Sequence, residues 1–196
     1  MQIHELLDRL ELISPNNTFF TDLRKTILNN DQFALFRLLQ QQTSSQLVEG
    51  LRKYKDNTEF NADCFSRGQL ESKLWLVKEL QKTKVDLGTV FLCAGWYATL
   101  ATMLFESSIT VDKIRSFDID DTCRDIAETF NKPWVKDNWK FKSSTKDIMD
   151  INYEFERYEV IRADGTTCPL DDTPDTIINT SCEHIENFEE WYAKIP

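Results

Sequence analysis

The sequence has few of the residues that build metal centres and disulfide frameworks. Only two histidines are present, His4 and His184, so a metal site made by the protein alone is not expected. The five cysteines are odd in number and no two have C-x-x-C spacing, which argues against a disulfide framework and a zinc knuckle. We therefore predict free, buried thiols in a reducing cytoplasm and no bound metal.

Long apolar runs and an excess of basic residues are also missing. The longest apolar stretch, near residues 90–105, is interrupted by Gly95 and by threonines and is too short to span a bilayer. The first residues lack the basic start and apolar run of a secretory signal. Acidic residues number 33 and basic residues 23, and the net charge of −10 opposes tight binding to a phosphate backbone. These features predict a cytoplasmic protein, not membrane-bound, whose partner is a small molecule or a protein rather than nucleic acid.

The first eighty residues have the apolar periodicity of helices. Three apolar stripes at roughly helical spacing lie at residues 3–12, 19–28 and 33–39, and a fourth helix is predicted at residues 69–81. They predict a helical N-terminal segment, or cap, over residues 1–82.

After residue 84 the pattern changes to short strands that alternate with helices. Strands are predicted at residues 89–93, 113–118, 139–142 and 175–179, and helices at residues 97–106, at residues 121–130 and from residue 187 onwards. A β-hairpin with a two-residue turn at Asp164-Gly165 is predicted within an insertion at about residues 153–172. Asn187 and Glu190 have capping-box spacing, and Asp121-Thr122 can cap the helix before it. This order favours an α/β domain over residues 83–196 with a Rossmann-like, doubly wound sheet.

Three loops at the carboxyl ends of the predicted strands hold the candidate site, because doubly wound sheets bind their ligands there. In Cys93-Ala94-Gly95-Trp96-Tyr97, the glycine allows close approach to a ligand and the following helix offers free N–H groups. In Phe117-Asp118-Ile119-Asp120, the first acid can accept both hydroxyls of a ribose. The segment from Asn179 to Ile185 places polar groups directly after the fourth strand.

These segments resemble class I S-adenosylmethionine-dependent methyltransferases over about residues 85–196. The segment from Ser116 to Thr122 looks like the second motif of that family, in which the acid holds the ribose. The fourth strand with Glu183-His184-Ile185 looks like the family's fourth strand and the sequence after it. Lys146-Asp147-Ile148-Met149 falls where the family has an acid near the adenine amino group. Short predicted methyltransferases of tailed phages are similar as well.

The resemblance implies S-adenosyl-L-methionine as the cofactor and methyl transfer to an unidentified acceptor. The residues expected to bind the cofactor are Cys93, Ala94, Gly95, Trp96, Tyr97, Asp118, Ile119, Asp147, Ile148, Asn179 and Thr180. His184 is the best acid–base candidate, because histidine is the side chain suited to proton transfer near neutral pH, and it would take the acceptor's proton; Glu183 could orient the substrate.

Structural roles compete with several of these assignments. Asp147 also fits a helix cap, and Trp96 and Tyr97 also fit packing beside the end of a strand. A histidine at a helix start is often structural in this family. Cys182 is a poor candidate nucleophile, because no second histidine lies near it in the sequence to activate it.

Two features depart from the family. Its first motif usually reads acid-x-Gly-x-Gly, whereas this loop has one glycine and no acid, or else a register shifted by one with Ala94 in the first glycine's place. Asn179 or a residue of the turn Ser66-Arg67-Gly68-Gln69 would then bind the amino-acid end of the cofactor. The family also continues with three more strands, so the expected strand order 3-2-1-4 leaves strand four as an open edge. The chain is then a truncated form, or a partner or second copy covers that edge.

Two other functions stay open. A catalytically inactive methyltransferase-like module, with an interaction or regulatory role, is favoured by the degenerate first motif and the missing strands. The acid at Asp118 and the pair Glu183-His184 argue against it. A nicotinamide-dependent oxidoreductase is disfavoured, because the first loop lacks the G-x-G-x-x-G that admits a pyrophosphate.

Overall fold

The structure is a computed structural model that describes residues 46–54 and 60–196, together with residues 22, 23, 25 and 27–29. The chain divides into two compact units, residues 1–48 and 49–196. All six strands found among the described residues lie in the second unit. The helices predicted at residues 3–12 and 33–39 lie outside the described residues, whereas residues 22, 23, 25, 27 and 28 are helical.

Helices and strands alternate after residue 84, as the sequence predicts. The helices are α1 (Gln46–Tyr54), α2 (Arg67–Thr83), α3 (Thr99–Phe105), α4 (Cys123–Phe130), α5 (Lys132–Lys136) and α6 (Phe188–Tyr192). The strands are β1 (Thr89–Cys93), β2 (Lys113–Asp118), β3 (Phe141–Thr145), β4 (Glu156–Ile161), β5 (Thr167–Asp172) and β6 (Thr176–Asn179). Short 3-10 helices lie at Ala62–Phe65, Ile148–Asp150 and Cys182–His184. Within the described ranges, no helix is both long and apolar enough to cross a membrane.

Four of the strands form a parallel sheet of order β3-β2-β1-β6, and β4 and β5 form a separate antiparallel hairpin. The predicted order 3-2-1-4 is therefore confirmed, with β6 as the fourth parallel strand. In the part of the chain that the structure describes, β6 pairs with β1 alone, so it is an edge of the sheet. This architecture is α/β with a parallel sheet and is compatible with a Rossmann-like fold.

The third strand begins two residues later than predicted. The prediction placed its start at Trp139, but Asn138 and Trp139 have φ values of 48° and 54°, a left-handed conformation that no strand residue adopts. These two residues form the turn before β3. The carbonyl of Trp139 instead accepts a hydrogen bond from Arg115 Nη1 at 2.7 Å. Trp139 and Lys140, which were predicted as the first two residues of this strand, therefore lie before it.

The hairpin turn is longer than predicted. The amide of Arg162 donates to the carbonyl of Thr166 at 2.8 Å, which leaves a loop of three residues. Gly165 has a φ of 83°, which a residue without a Cβ adopts at little cost. The arrangement is a turn followed by a left-handed glycine, the common three-residue hairpin loop, rather than the predicted two-residue turn.

The predicted helix caps are also corrected. Neither Asn187 nor Thr122 makes a side-chain cap, so the capping-box spacing at the last helix was misleading. Before α4, it is Asp120 Oδ1 that accepts the amide of Thr122, at 2.9 Å. Helix α2 starts two residues before its predicted position, where Ser66 Oγ accepts the amide of Gln69 at 3.5 Å.

The two faces of the parallel sheet have different coverings. α3 and α4 connect consecutive parallel strands, and right-handed crossovers place both on the same face, here called the helix face. The opposite face, here called the hairpin face, is covered by β4, β5 and α6. Its buried core is formed by Phe91, Cys93, Phe117, Ile148, Ile151, Tyr153, Tyr158, Val160 and Trp191. Side chains alternate along each strand, so Val90, Leu92 and Ile114 point to the helix face.

Candidate functional site

A cavity of about 740 Å³ lies at the carboxyl edge of the parallel sheet. Its wall includes the segments that follow β1, β2 and β6 and the 3-10 helix after β3. Parallel pairing brings these segments together, because the carboxyl ends of all four strands lie at the same edge. The cavity is therefore where a doubly wound sheet is expected to bind its ligand.

Most of the residues that the sequence singles out line this one cavity. They are Ala94, Gly95, Trp96, Asp118, Ile119, Asp147, Ile148, Thr180, Glu183 and His184. They come from four segments that are separated by tens of residues in the sequence. The strand ends, rather than any local contact, bring them together.

Cys93, Tyr97 and Asn179 lie outside the cavity wall. Cys93 is buried on the hairpin face, where its Sγ is 3.5 Å from the hydroxyl of Tyr153 and burial raises its pKa to about 12. Tyr97 is buried in an aromatic cluster and stacks on Phe60, with ring centroids 5.3 Å apart. Asn179 is half-buried and its Oδ1 accepts the amide of Ser181 at 2.8 Å. The contacts of Cys93 and Tyr97 are thus with the buried core, and that of Asn179 is with the loop that follows it.

The loop after β1 is strained. Ala94, Trp96 and Ala98 have φ values of 49°, 50° and 49°, in the left-handed region that costs an L-residue about 1–2 kcal/mol. Ala94 thus has a conformation that glycine adopts at little cost. Gly95 is needed for space, since a Cβ there would lie 2.2 Å from Ser116 Oγ on β2.

Hydrogen bonds to the carboxylate of Asp118 hold this loop at the end of β2. One carboxylate oxygen accepts the amide of Trp96 at 2.7 Å, and the other accepts the amide of Asp120 at 3.1 Å. An ionised carboxylate has about four acceptor positions, so about two remain for a ligand. Asp118 can hold the loop and bind hydroxyl groups at the same time.

The segment after β3 contributes a capped 3-10 helix. Asp147 Oδ1 accepts the amide of Met149 at 2.8 Å, so the helix-cap role considered from the sequence is present. Asp147, Ile148 and Met149 all line the cavity, so this cap also forms part of its wall.

Glu183 and His184 line the cavity from its exposed side. Their side chains are 66% and 78% exposed, and His184 Nε2 is 3.7 Å from Glu183 Oε1. Both lie on the 3-10 helix that follows β6. His184 can therefore reach solvent and the cavity by rotation of its side chain.

Several other residues line the cavity that were not among the thirteen expected site residues. They are Asp63, Gln69, Lys73, Thr99, Met149, Ser181, Ile185, Glu186 and Asn187. Most of them lie within the predicted loops or next to them in the sequence. Gln69 belongs to the turn considered for the amino-acid end of a cofactor. Asp63 and Lys73 precede β1 by more than a dozen residues, and no local signal marks them.

Lys73 is a buried amine in the cavity wall. The residue is 8% exposed, and its Nζ contacts Gln69 Oε1 and the carbonyl of Gln69, the latter at 3.5 Å. Burial lowers the pKa of the Lys73 ammonium, whereas the charges of Cys64, Asp63 and Glu183 act to raise it.

The cavity wall is strongly acidic. In the part of the wall that the structure describes, one lysine and one histidine face five carboxylates, which belong to Asp63, Asp118, Asp147, Glu183 and Glu186. Such a wall attracts cationic groups and disfavours a bare pyrophosphate. Among the described residues, no group of three or more His, Cys, Asp or Glu side chains is placed to hold a metal ion.

Comparison of the chain with protein-family models, with curated proteins and with solved structures finds no match.

Proposed function

We propose that this protein is an S-adenosylmethionine-dependent methyltransferase. The observation that carries the proposal is the assembly of ten of the thirteen predicted site residues around one cavity at the carboxyl edge of the sheet. Parallel pairing brings these residues, which come from four separate segments, to a single cavity, and this supports a small-molecule site at the carboxyl edge of the sheet.

The adenosine part of the cofactor fits the wall of the cavity. A volume of about 740 Å³ lies within the range of about 300–1,000 Å³ that is typical of small-molecule sites. Asp118 has acceptor positions left for the ribose hydroxyls, and Asp147, Ile148 and Met149 form a wall for the adenine. On this proposal, the strained loop from Ala94 to Trp96 lies beside the ribose and the sulfur.

The charge of the cavity favours this cofactor over a nicotinamide dinucleotide. S-adenosylmethionine carries a sulfonium and an ammonium, both cationic, whereas a dinucleotide carries an anionic pyrophosphate. Five carboxylates around the cavity stabilise the first and repel the second.

Methyl transfer requires alignment more than covalent help from the protein. The enzyme holds the acceptor in line with the methyl group and the leaving sulfur, and proximity supplies much of the acceleration. On this proposal, His184 takes a proton from the acceptor where one must leave, and Glu183 orients the acceptor at the exposed side of the cavity.

A non-catalytic module that binds the same ligand is the second candidate. The observation that favours it is the 78% exposure of His184, since an exposed side chain is weakly held for proton transfer. This candidate predicts ligand binding without turnover.

Calorimetric titration with S-adenosylmethionine and S-adenosylhomocysteine tests the binding step. We expect micromolar binding by the wild type, weakened about tenfold or more in Asp118→Ala, because charge-assisted hydrogen bonds to the ribose are lost. The matched control is Asp121→Ala, an exposed acid three residues away that does not line the cavity. A folded wild type that binds neither ligand contradicts the proposal.

Turnover separates the enzyme from the module. We expect S-adenosylhomocysteine to form with at least one member of a panel of amine, hydroxyl and thiol acceptors. In His184→Ala the rate should fall by about 10²–10⁴ while the affinity for S-adenosylhomocysteine is retained. Tight binding with no product from any acceptor supports the module instead.

A further inference from the structure

Lys73 is a buried cation without a carboxylate partner in the described part of the chain. Among the described residues, its Nζ hydrogen-bonds to the side chain and the carbonyl of Gln69 alone. A buried charge is costly unless it is paired, so a lysine kept in a cavity wall indicates an anionic group on the ligand. Among the described residues, Lys73 is the one lysine that lines the cavity, so its position in the wall favours a carboxylate.

Asp63 provides the opposite charge in the same wall. It lies on the 3-10 helix Ala62–Phe65, whose backbone is held by Asn61 Oδ1, which accepts the amide of Asp63 at 2.9 Å. The carbonyl of Asp63 accepts the amide of Ser66 at 2.7 Å. The charge of Asp63 acts to raise the pKa of Lys73, yet in the part of the chain described the two side chains form no ion pair. An anionic and a cationic side chain are thus separated within one cavity.

We propose that Lys73 and Asp63 bind the zwitterionic α-amino-acid end of the ligand, Lys73 its carboxylate and Asp63 its ammonium. This inference rests on the proposed function. It assigns to the segment before β1 the role of the acid that is missing after β1, where the buried Cys93 stands. Gln69 completes the carboxylate site, because its Oε1 accepts from Lys73 and its Nε2 amide is left to donate to the ligand.

The carboxylate of the ligand needs a local positive charge, because the wall around it is otherwise acidic. Cationic groups of the ligand are stabilised by the surrounding carboxylates, but its own carboxylate would be repelled without a local positive charge. Lys73 provides that charge at the end of the cavity formed by α2.

Two ligands that differ only in the amino-acid end test the inference. S-adenosylhomocysteine carries the zwitterion, whereas 5′-methylthioadenosine shares the adenosine and thioether but lacks it. Affinities are measured by calorimetry for the wild type, Lys73→Met and Asp63→Asn. The matched control is Lys78→Met, an exposed lysine on the same helix.

We expect Lys73→Met and Asp63→Asn to weaken S-adenosylhomocysteine by about tenfold to a hundredfold, the range for a lost charge-assisted hydrogen bond, with methylthioadenosine unchanged. Lys78→Met should change neither affinity. Equal weakening of both ligands would show a structural role and overturn the inference. No weakening of either ligand, while the wild type binds both, would overturn it and leave the proposed function intact. A folded wild type that binds neither ligand overturns both.

Discussion

The two faces of the parallel sheet are held by different forces. On the helix face the buried side chains are mostly apolar, and Leu100 and Leu104 of α3 are 1% and 0% exposed. The hairpin face combines an aromatic core with a buried charge network. In that network, Asp172 on β5 accepts hydrogen bonds from Lys113 Nζ at 2.5 Å, Arg115 Nε at 2.8 Å and Tyr158 Oη at 2.6 Å.

This difference follows from the covering elements. A helix buries a wide apolar stripe, so the sheet beneath it can be apolar as well. In the β4–β5 hairpin, successive side chains point alternately toward the sheet and toward solvent. Its Asp172 points inward and forms ion pairs with Lys113 and Arg115 on β2. Apolar packing tolerates changes of pH, whereas a buried ion pair does not. The comparison therefore predicts that the two faces respond differently to substitution and to acid.

The largest expected effect is the loss of the network's acid. Asp172→Ala leaves Arg115 buried without its partner, and we expect a loss of about 3–5 kcal/mol in the free energy of unfolding. The neighbouring Asp171→Ala is the matched control, since Asp171 and its partner Arg157 are 46% and 72% exposed and such a pair contributes about 1 kcal/mol or less. Urea denaturation measures both. Similar losses in the two variants would contradict a role for the buried network.

The second largest effect is expected when a substitution removes a buried apolar side chain from the helix face. Leu104→Ala removes a fully buried side chain, and we expect a loss of about 2–5 kcal/mol in the free energy of unfolding. Leu74→Ala, on a helix residue that is 44% exposed, should change it by about 0.5 kcal/mol or less. Urea denaturation at two pH values tests the comparison, because a purely apolar loss is the same at both. A strongly pH-dependent loss would show that this face also depends on charge.

A smaller effect is expected where α6 joins the hairpin face. The hydroxyl of Tyr153 donates to the carbonyl of Ile148 at 2.8 Å and accepts from Trp191 Nε1 at 2.7 Å. Tyr153→Phe leaves both partners buried and unpaired, so we expect a loss of about 1–3 kcal/mol in the free energy of unfolding. Thermal and urea denaturation measure it, with Tyr192→Phe, 65% exposed, as the control. Equal behaviour of the two variants would show that the hydroxyl of Tyr153 is dispensable.

Acid should destabilise the hairpin face selectively, and this is the smallest of the four expected effects on stability. Burial acts to raise the pKa of Asp172, but hydrogen bonds from Lys113, Tyr158 and Arg115 outweigh it and the pKa is lowered. A carboxyl with a lowered pKa in the folded state contributes stability above its unfolded pKa of about 3.9 and loses it as the pH falls below that value. Hydrogen exchange below about pH 4 should therefore increase first in β4 and β5.

Asp172→Asn provides the check on this assignment. The amide does not titrate, so the acid-dependent part of the exchange in β4 and β5 should disappear. If the variant keeps the wild-type pH dependence, other carboxyl groups cause it.

Local sequence patterns predicted the elements that carry their own signal. The short apolar run at residues 89–93 and the segment at residues 113–118, which ends on an acid, were predicted as strands, and β1 and β2 have these same bounds. The turn at Asn138-Trp139 was missed because neither residue is a glycine, the usual signal of a left-handed conformation. The cap at Asn187 was wrong because α6 is only five residues long and begins without a side-chain cap.

The candidate site was predicted where strand ends determine it. Parallel pairing brings consecutive strand ends to one edge, so residues after β1, β2 and β6 meet whatever covers the sheet. The face of the sheet toward which a given side chain points was harder to predict from the sequence. Cys93 ends β1 yet points to the hairpin face, and Tyr97 turns into the aromatic cluster.

By itself, the sequence determined the four parallel strands, their order and the edge at which the polar loops meet, because each depends on local periodicity and on the strand connections. Only the tertiary structure brought Asp63 and Lys73 to that edge and set Asp172 against Arg115. These contacts join residues that are close in space but carry no mark in the local pattern. Their burial depends on how helices and hairpin pack on the sheet, which is a property of the folded chain alone.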